Sequence, residues 1–243
     1  APITRSGGLA AIISLSIFFV IYYLLYSKFL YNYIFVSYSM FLVGFLDDLK
    51  IDIKPFTRLI IMVLLLFLFI YILPIKILNI DVPFLMPFMS SHILSSMFVL
   101  LCFLFVINGA NLIDGFNGLL AINLIIINIV LAYINMNNEN LEFSIFLISQ
   151  IIMLLSFLLF NFPSAQIFLG DSGAYMFGAL TSLNTIITNN LNPKISSFFF
   201  CTLLFYLFFE VFFSFFRKHS KKKSPIYPDN KHLHMLSFYK ISV

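Results

Sequence analysis

Charge is what this sequence has least of. Of its 243 residues only 10% are Asp, Glu, Lys or Arg, against about a quarter in a soluble domain, while 61% are hydrophobic and 19% aromatic. That balance excludes an ordinary soluble domain and reads as a polytopic membrane protein. Cysteine is nearly missing: Cys102 and Cys201 both sit in apolar runs, which predicts two buried thiols with neither a disulfide nor redox chemistry. The start, Ala1 to Gly8, lacks a basic stretch followed by an apolar core and a small-residue cleavage site, so it does not read as a signal peptide. No repeat is visible. Glycines near Asp171 are not followed by Gly-Lys-Ser/Thr, which excludes a Walker nucleotide site.

What is there is a series of apolar runs. A helix of about 20 apolar residues crosses a bilayer, and only helices or closed barrels satisfy their own backbone in lipid. Eight runs meet this, near 9–27, 29–46, 59–78, 92–108, 117–135, 141–161, 172–188 and 195–216, predicting an all-α transmembrane bundle used as one domain over 1–243. With Arg5 inside, the segments 1–8, 47–58, 109–116, 162–171 and 217–243 share one side and hold most of the Lys and Arg, leaving only Lys28, Lys76 and Lys194 on the other. The excess of positive charge makes the first side cytoplasmic. The same assignment gathers Asp47, Asp48, Asp114, Asp171, His232 and His234 at that face, although none of them was used to choose it.

Four polar clusters therefore define one candidate site. Asp47-Asp48 closes the second run; adjacent residues on a helix point about 100° apart, so one acid aims inward while the other meets water or a cation. A solvated helix end balanced by Lys50, Lys54 and Arg58 is the plainer alternative. Asn108, Asn111, Asp114 and Asn117 recur at steps of three, which on a helix makes one polar row suited to a base or a sugar; an Asn-rich loop is the alternative. Asp171, ten residues after Asn161, is a hard oxygen donor of the kind Mg²⁺ takes singly or in pairs before completing its shell with water and phosphate. The alternative is an N-cap. His232 and His234 are two apart, weak evidence for zinc but compatible with phosphate contact, and the basic tail from Arg217 reads as an anchor to anionic headgroups. No nucleic-acid partner is expected.

In this order, Thr4-Arg-Ser-Gly-Gly8, Gly44-Phe-Leu-Asp-Asp48, Asn108-Gly-Ala-Asn-Leu-Ile-Asp-Gly-Phe-Asn-Gly-Leu119, Phe168-Leu-Gly-Asp-Ser-Gly173 and Pro228-Asp-Asn-Lys-His-Leu-His234 resemble the polyprenyl-phosphate N-acetylhexosamine-1-phosphate transferases, the MraY/WecA-like family. The resemblance implies that a polyprenyl phosphate attacks the β-phosphorus of a UDP-N-acetylhexosamine, releasing UMP and forming a lipid-linked diphosphate sugar for cell-envelope polysaccharide synthesis. It implies Mg²⁺ as cofactor, with Mn²⁺ as a substitute, held by Asp171 and Asp47. Asp47 or Asp48 would orient or deprotonate the lipid phosphate. Asn108, Asn111, Asp114, Asn117 and Asn161 would bind the nucleotide sugar, and His232 and His234 its diphosphate. The inner membrane is the expected location, and a homodimer is left open.

Three departures accompany the resemblance. Position 117 is Asn where many relatives carry Asp, Met235 stands where a further His is common, and eight helices are fewer than the family's ten or eleven, so terminal helices are expected to be missing. The main rival reading is an ion-coupled secondary transporter, which would put polar residues near mid-bilayer and show paired halves. A non-catalytic membrane scaffold is the other.

Overall fold

The computed structural model describes residues 3–51, 53–78 and 80–221. Among them the apolar runs form ten helices: α1 Gly7–Tyr26, α2 Tyr31–Asp48, α3 Pro55–Ile72, α4 Met86–Met89, α5 His92–Ile113, α6 Leu119–Asn137, α7 Leu141–Asn161, α8 Gly170–Leu191, α9 Ser197–Leu203 and α10 Phe205–Ser220. The described residues contain no named strand, only an isolated parallel bridge between Thr4 and Ile167. Breaks follow local chemistry. Pro55 opens α3, where its missing N–H costs nothing, and Ser196 caps α9 by accepting from the Phe198 amide at 3.3 Å.

Five helices, α1, α3, α5, α6 and α7, are each long and apolar enough to cross a membrane. The eighth expected run is broken instead of continuous: α9 and α10 meet at a 65° bend and together would make a sixth span. The second and seventh expected runs became α2 and α8, which are too polar to qualify alone. Packing explains why they need not qualify. α8 is buried along almost its whole length, between α2, α5, α1 and α6, so its Thr, Ser and Asn side chains face protein rather than lipid. The apolar helices turn Leu24, Leu64, Tyr71, Ile93 and Leu159 outward instead, as a lipid-facing shell does.

The helices in contact with α8 come close because small residues line the crossings. A Cβ on Gly44 would overlap the backbone of Asp171, and one on Gly178 would lie 2.9 Å from the Ile107 Cα; close backbone approach of this kind is how helices associate in lipid, where no hydrophobic force separates protein from solvent. Both thiols are free. Cys102 is half-buried and Cys201 exposed, so the expectation of two buried thiols fails for Cys201, which lies on α9 beside the bend.

Candidate active site at one end of the bundle

Alternation of helix direction brings the C-termini of α2, α5 and α7 to the same end as the N-termini of α1, α3, α6 and α8. Hydrogen bonds among these ends bear this out, and at the opposite end Lys28 pairs with Glu142 while Asn190 binds the backbone of Lys76 and Leu78. The acids and amides of the first end therefore meet although they are far apart in sequence.

Asp47 and Asp48 divide as adjacent helical residues must. Asp47 receives Arg58 Nη1 at 2.6 Å, and the same nitrogen lies 3.3 Å from Asp171 Oδ2, so one guanidinium spans two carboxylates. The Arg58 plane also sits over the Tyr175 ring, 5.4 Å from its centroid, a cation–π contact that fixes its aim. Asp171 Oδ1 accepts from Asn111 Nδ2 at 2.8 Å. Asp48 turns the other way, into the first turn of α8. Its oxygens accept from Asp171 N at 3.1 Å, Ser172 N at 3.0 Å and Ser172 Oγ at 2.6 Å, with Arg5 3.8 Å away. Capping of α8 is thus done by Asp48, not by Asp171 as the plainer sequence alternative had it.

Arg5 reaches Asp48 because the chain before α1 is strapped to the loop before α8: Phe168 N donates to Thr4 O, Gly7 N to Phe168 O and Gly8 N to Leu169 O, at 2.8–3.0 Å. Asn161, at the end of α7, is buried, accepts from Gly118 N at 2.5 Å and donates to Ile167 O at 2.8 Å. Both ends of its amide join loops. The expected polar row splits. Asn108 donates to Leu104 O within α5, Asn111 points to Asp171, Asp114 follows the last residue of α5, and Asn117 donates across to Pro163 O. Burial, then the negative Asp171 and Asp48, push the Asp114 carboxyl well above the usual carboxylate range, with Arg5 opposing.

Of the expected site residues, Asp47, Asp48, Asn111, Asp114 and Asp171 come together. Asn108, Asn117 and Asn161 sit at the same end, engaged with backbone. His232 and His234 lie outside the described residues. Sequence reasoning treated Arg58 as one counter-charge among three, yet among the described residues Lys50 and Lys54 make no ion pair within 4 Å and Arg58 makes two. The lone guanidinium in a lysine series at steps of four was the available signal, since only a planar fork can span two carboxylates. Ser172 carried no signal beyond its place after Asp171.

Four carboxylates, those of Asp47, Asp48, Asp114 and Asp171, face two guanidiniums. Asp47 and Asp171 also lie within hydrogen-bond reach of each other, so a cation between them would relieve their mutual repulsion. Among the described residues no three His, Cys, Asp or Glu side chains form a group that could hold a metal ion by themselves; a cation here would have to take one or two carboxylates and complete its shell with water or substrate oxygens. Asp171 and Asp47, already sharing one cation, are the pair that fits.

Residues 29–189, which include all four acids, match the model of glycosyl transferase family 4. The chain is similar to an undecaprenyl-phosphate α-N-acetylglucosaminyl 1-phosphate transferase of Thermotoga maritima, 32% identical over 59% of this chain and 43% of that protein. It is also similar to phospho-N-acetylmuramoyl-pentapeptide-transferases of Leuconostoc citreum, 40% identical over 33% of this chain and 25% of the relative, and of Clostridium beijerinckii, 32% identical over 57% and 45%. The matched segments take in less than half the length of each of these curated relatives. With the ordered acids, the family model and these relatives in agreement, the chain belongs to glycosyl transferase family 4.

Proposed function

We propose that this chain carries the catalytic end of a membrane transferase that moves an N-acetylhexosamine 1-phosphate from a UDP-sugar to a polyprenyl phosphate. The observation that carries the reading is the Asp47–Arg58–Asp171 bridge with Asn111 on the free oxygen of Asp171. It is a charge-deficient cluster at a helix-bundle end, where a lipid phosphate and a water-borne nucleotide can both arrive. The names of the relatives in Thermotoga and Clostridium support the same class.

In the reaction, an oxygen of the acceptor phosphate forms a bond to the β-phosphorus of the donor as the bond from that phosphorus to the bridging α–β oxygen breaks. The bridging oxygen leaves on UMP. A phosphate monoester with a second pKa near 6 is already largely dianionic at neutral pH, so a strong base is not required. The work left to the protein is alignment and charge neutralisation. Mg²⁺, held by Asp171 and Asp47, would supply positive charge to the phosphate oxygens. Arg58 can follow the developing charge from its place between the acids, and Arg5 stands at the mouth of the site, its side chain 58% exposed. Asn111 holds Asp171 in its rotamer. Asn108, Asp114, Asn117 and Asn161 shape the donor side, with His232 and His234 assigned to its diphosphate. The site faces the cytoplasm of a bacterial inner membrane, where nucleotide sugars are made.

The transporter alternative is less well supported. Asp47, Asp48, Asp114 and Asp171 gather at one end of the bundle, and the amides in the middle of α6 and α7 pair with their neighbours. The test is exchange of labelled UMP into UDP-N-acetylhexosamine by membranes holding the full-length protein and polyprenyl phosphate. Exchange is expected only with Mg²⁺ present, and a panel of UDP-sugars identifies the hexosamine. Exchange in the absence of any divalent cation would remove the reading.

A further inference from the structure

We propose that Asp48 is a positioning residue that does not touch the reacting phosphates. It sets the first turn of α8 so that Asp171 faces them, leaving Asp47 as the reactive member of the pair. This rests on the transferase reading only in taking Asp47 and Asp171 as the acids that meet the cation.

Saturation is the first argument. The Asp48 side chain is 4% exposed and Asp47 27%. Both Asp48 oxygens are occupied by the α8 turn, through two backbone amides and the Ser172 hydroxyl, with the Arg5 charge behind them. A carboxylate with both oxygens already accepting from fixed donors has little left for a metal or a phosphate. Asp47, more exposed and met only by Arg58 and the neighbouring Asp171 carboxyl among the described residues, does.

The backbone around Asp48 is shaped to the same end. Gly170 has φ +77°, and a Cβ there would sit 2.6 Å from Asp48 Oδ2, so this position needs glycine both for its left-handed backbone and for the space the carboxylate fills. One turn earlier on α2, Gly44 lets the α2 backbone touch that of Asp171. The result is a carboxylate on the positive end of α8, which a helix dipole favours. Because adjacent helical residues point about 100° apart, holding Asp48 on α8 leaves Asp47 turned toward Arg58 and the cation. The Asp-Asp pair is thus one frame residue and one ligand, not two interchangeable acids.

The test uses the full-length protein in nanodiscs with Asp48→Asn, Asp48→Ala, Ser172→Ala, the Asp48→Ala/Ser172→Ala double variant and Asp47→Asn. Two quantities are read: the Mg²⁺ concentration giving half the Mg²⁺-induced rise in melting temperature, and kcat and KM of UMP exchange. For a positioning role, Asp48→Ala lowers kcat by ~100-fold with KM little changed, the scale of a misplaced catalytic group. Asp48→Asn recovers much of that loss because its amide oxygen still accepts from a backbone N–H. Its Mg²⁺ half-saturation stays near that of the parent, whereas Asp47→Asn shifts it by ~10-fold or more. The double variant is no worse than Asp48→Ala, since both changes remove one cap. A shift of Mg²⁺ half-saturation in Asp48→Asn as large as in Asp47→Asn, or additive losses in the double variant, would overturn the proposal. Should the parent exchange no UMP with any donor, the transferase reading fails. The non-additivity of positions 48 and 172 in melting temperature still decides the role of Asp48.

Discussion

Of the polar clusters along α8, one near the middle and one at the first turn differ in kind. Near the middle of the bundle Asn184 donates to Asn128 Oδ1 at 3.1 Å and to Gln150 Oε1 at 3.0 Å, with all three side chains fully buried and uncharged. At the first turn of the same helix, Asp171 shares Arg58 with Asp47, Asp48 caps the turn, and burial pushes the Asp114 carboxyl up, with Asp171 and Asp48 close enough to add to it. The amide cluster closes on itself. The acid cluster does not, and within a bundle an unbalanced set of charges is expensive unless a ligand completes it. Polarity alone therefore does not mark function in this chain; the difference lies in whether the polar groups satisfy one another.

The sharpest way to break the comparison is to remove charge where it is unbalanced. Asp171→Asn keeps the size of the side chain and its contact with Asn111 while deleting the charge toward Arg58 and the cation. UMP exchange is expected to fall by ~1,000-fold or more, the consequence of losing several kcal/mol of charge stabilisation in the transition state. The Mg²⁺-induced rise in melting temperature should vanish with it. An unchanged rise would place the cation elsewhere.

Arg58→Gln acts on the same cluster from the positive side. Without the guanidinium, Asp47 and Asp171 confront each other, so the Mg²⁺-free protein is expected to lose about 1–3 kcal/mol; the loss is smaller than for a fully buried pair because the side chains of Arg58, Asp47 and Asp171 remain 19%, 27% and 22% exposed. Added Mg²⁺ should restore most of that stability but not the exchange rate. A melting temperature in chelator equal to that of the parent would show that the bridge carries no weight.

The amide cluster should behave in the opposite way. Asn184→Leu strands Asn128 and Gln150 without their partner and is expected to cost about 1–2 kcal/mol, the upper end for hydrogen bonds between membrane helices. Mg²⁺ half-saturation and kcat, measured well below the new melting temperature, should stay as they were. A changed kcat would join the two clusters into one functional unit and undo the distinction.

Much of this was legible before any coordinates. Apolar length located every long helix, since a 3.6-residue period hardly matters when lipid lies outside and protein inside. The distribution of Lys and Arg put the acids at one end, because orientation is a property of loops that the sequence writes directly. What the sequence did not hold was direction at the scale of a single side chain. That Asp48 serves α8 while Asp47 serves Arg58 depends on how closely Gly44 lets two backbones approach, and the row from Asn108 to Asn117 divides because α5 ends at Ile113. The 65° bend before Phe205 has no proline or glycine to announce it, lying between Leu203 and Phe205 in an unbroken apolar run.

Asp114 offers the smallest and most discriminating comparison, since it belongs to the acid cluster through the field of its neighbours, Asp171 and Asp48. Its carboxyl is pushed up from the ordinary 3.8 by burial first and by Asp171 and Asp48 next. The folded protein therefore holds this proton at a pH where the unfolded chain has released it. Stability is lost as pH rises from about 3.8 through the raised folded value, and above that value the full penalty applies. Asp114→Asn removes the penalty, so relative to the parent its melting temperature in chelator should climb as pH rises above about 4, by about 2 °C once the parent's carboxyl has ionised. Divalent cation should shrink the difference, because positive charge among the acids relieves the repulsion that the substitution abolishes. A parent-minus-variant difference that is flat with pH would detach Asp114 from the acid cluster and leave it, like Asn117, a residue of the loop.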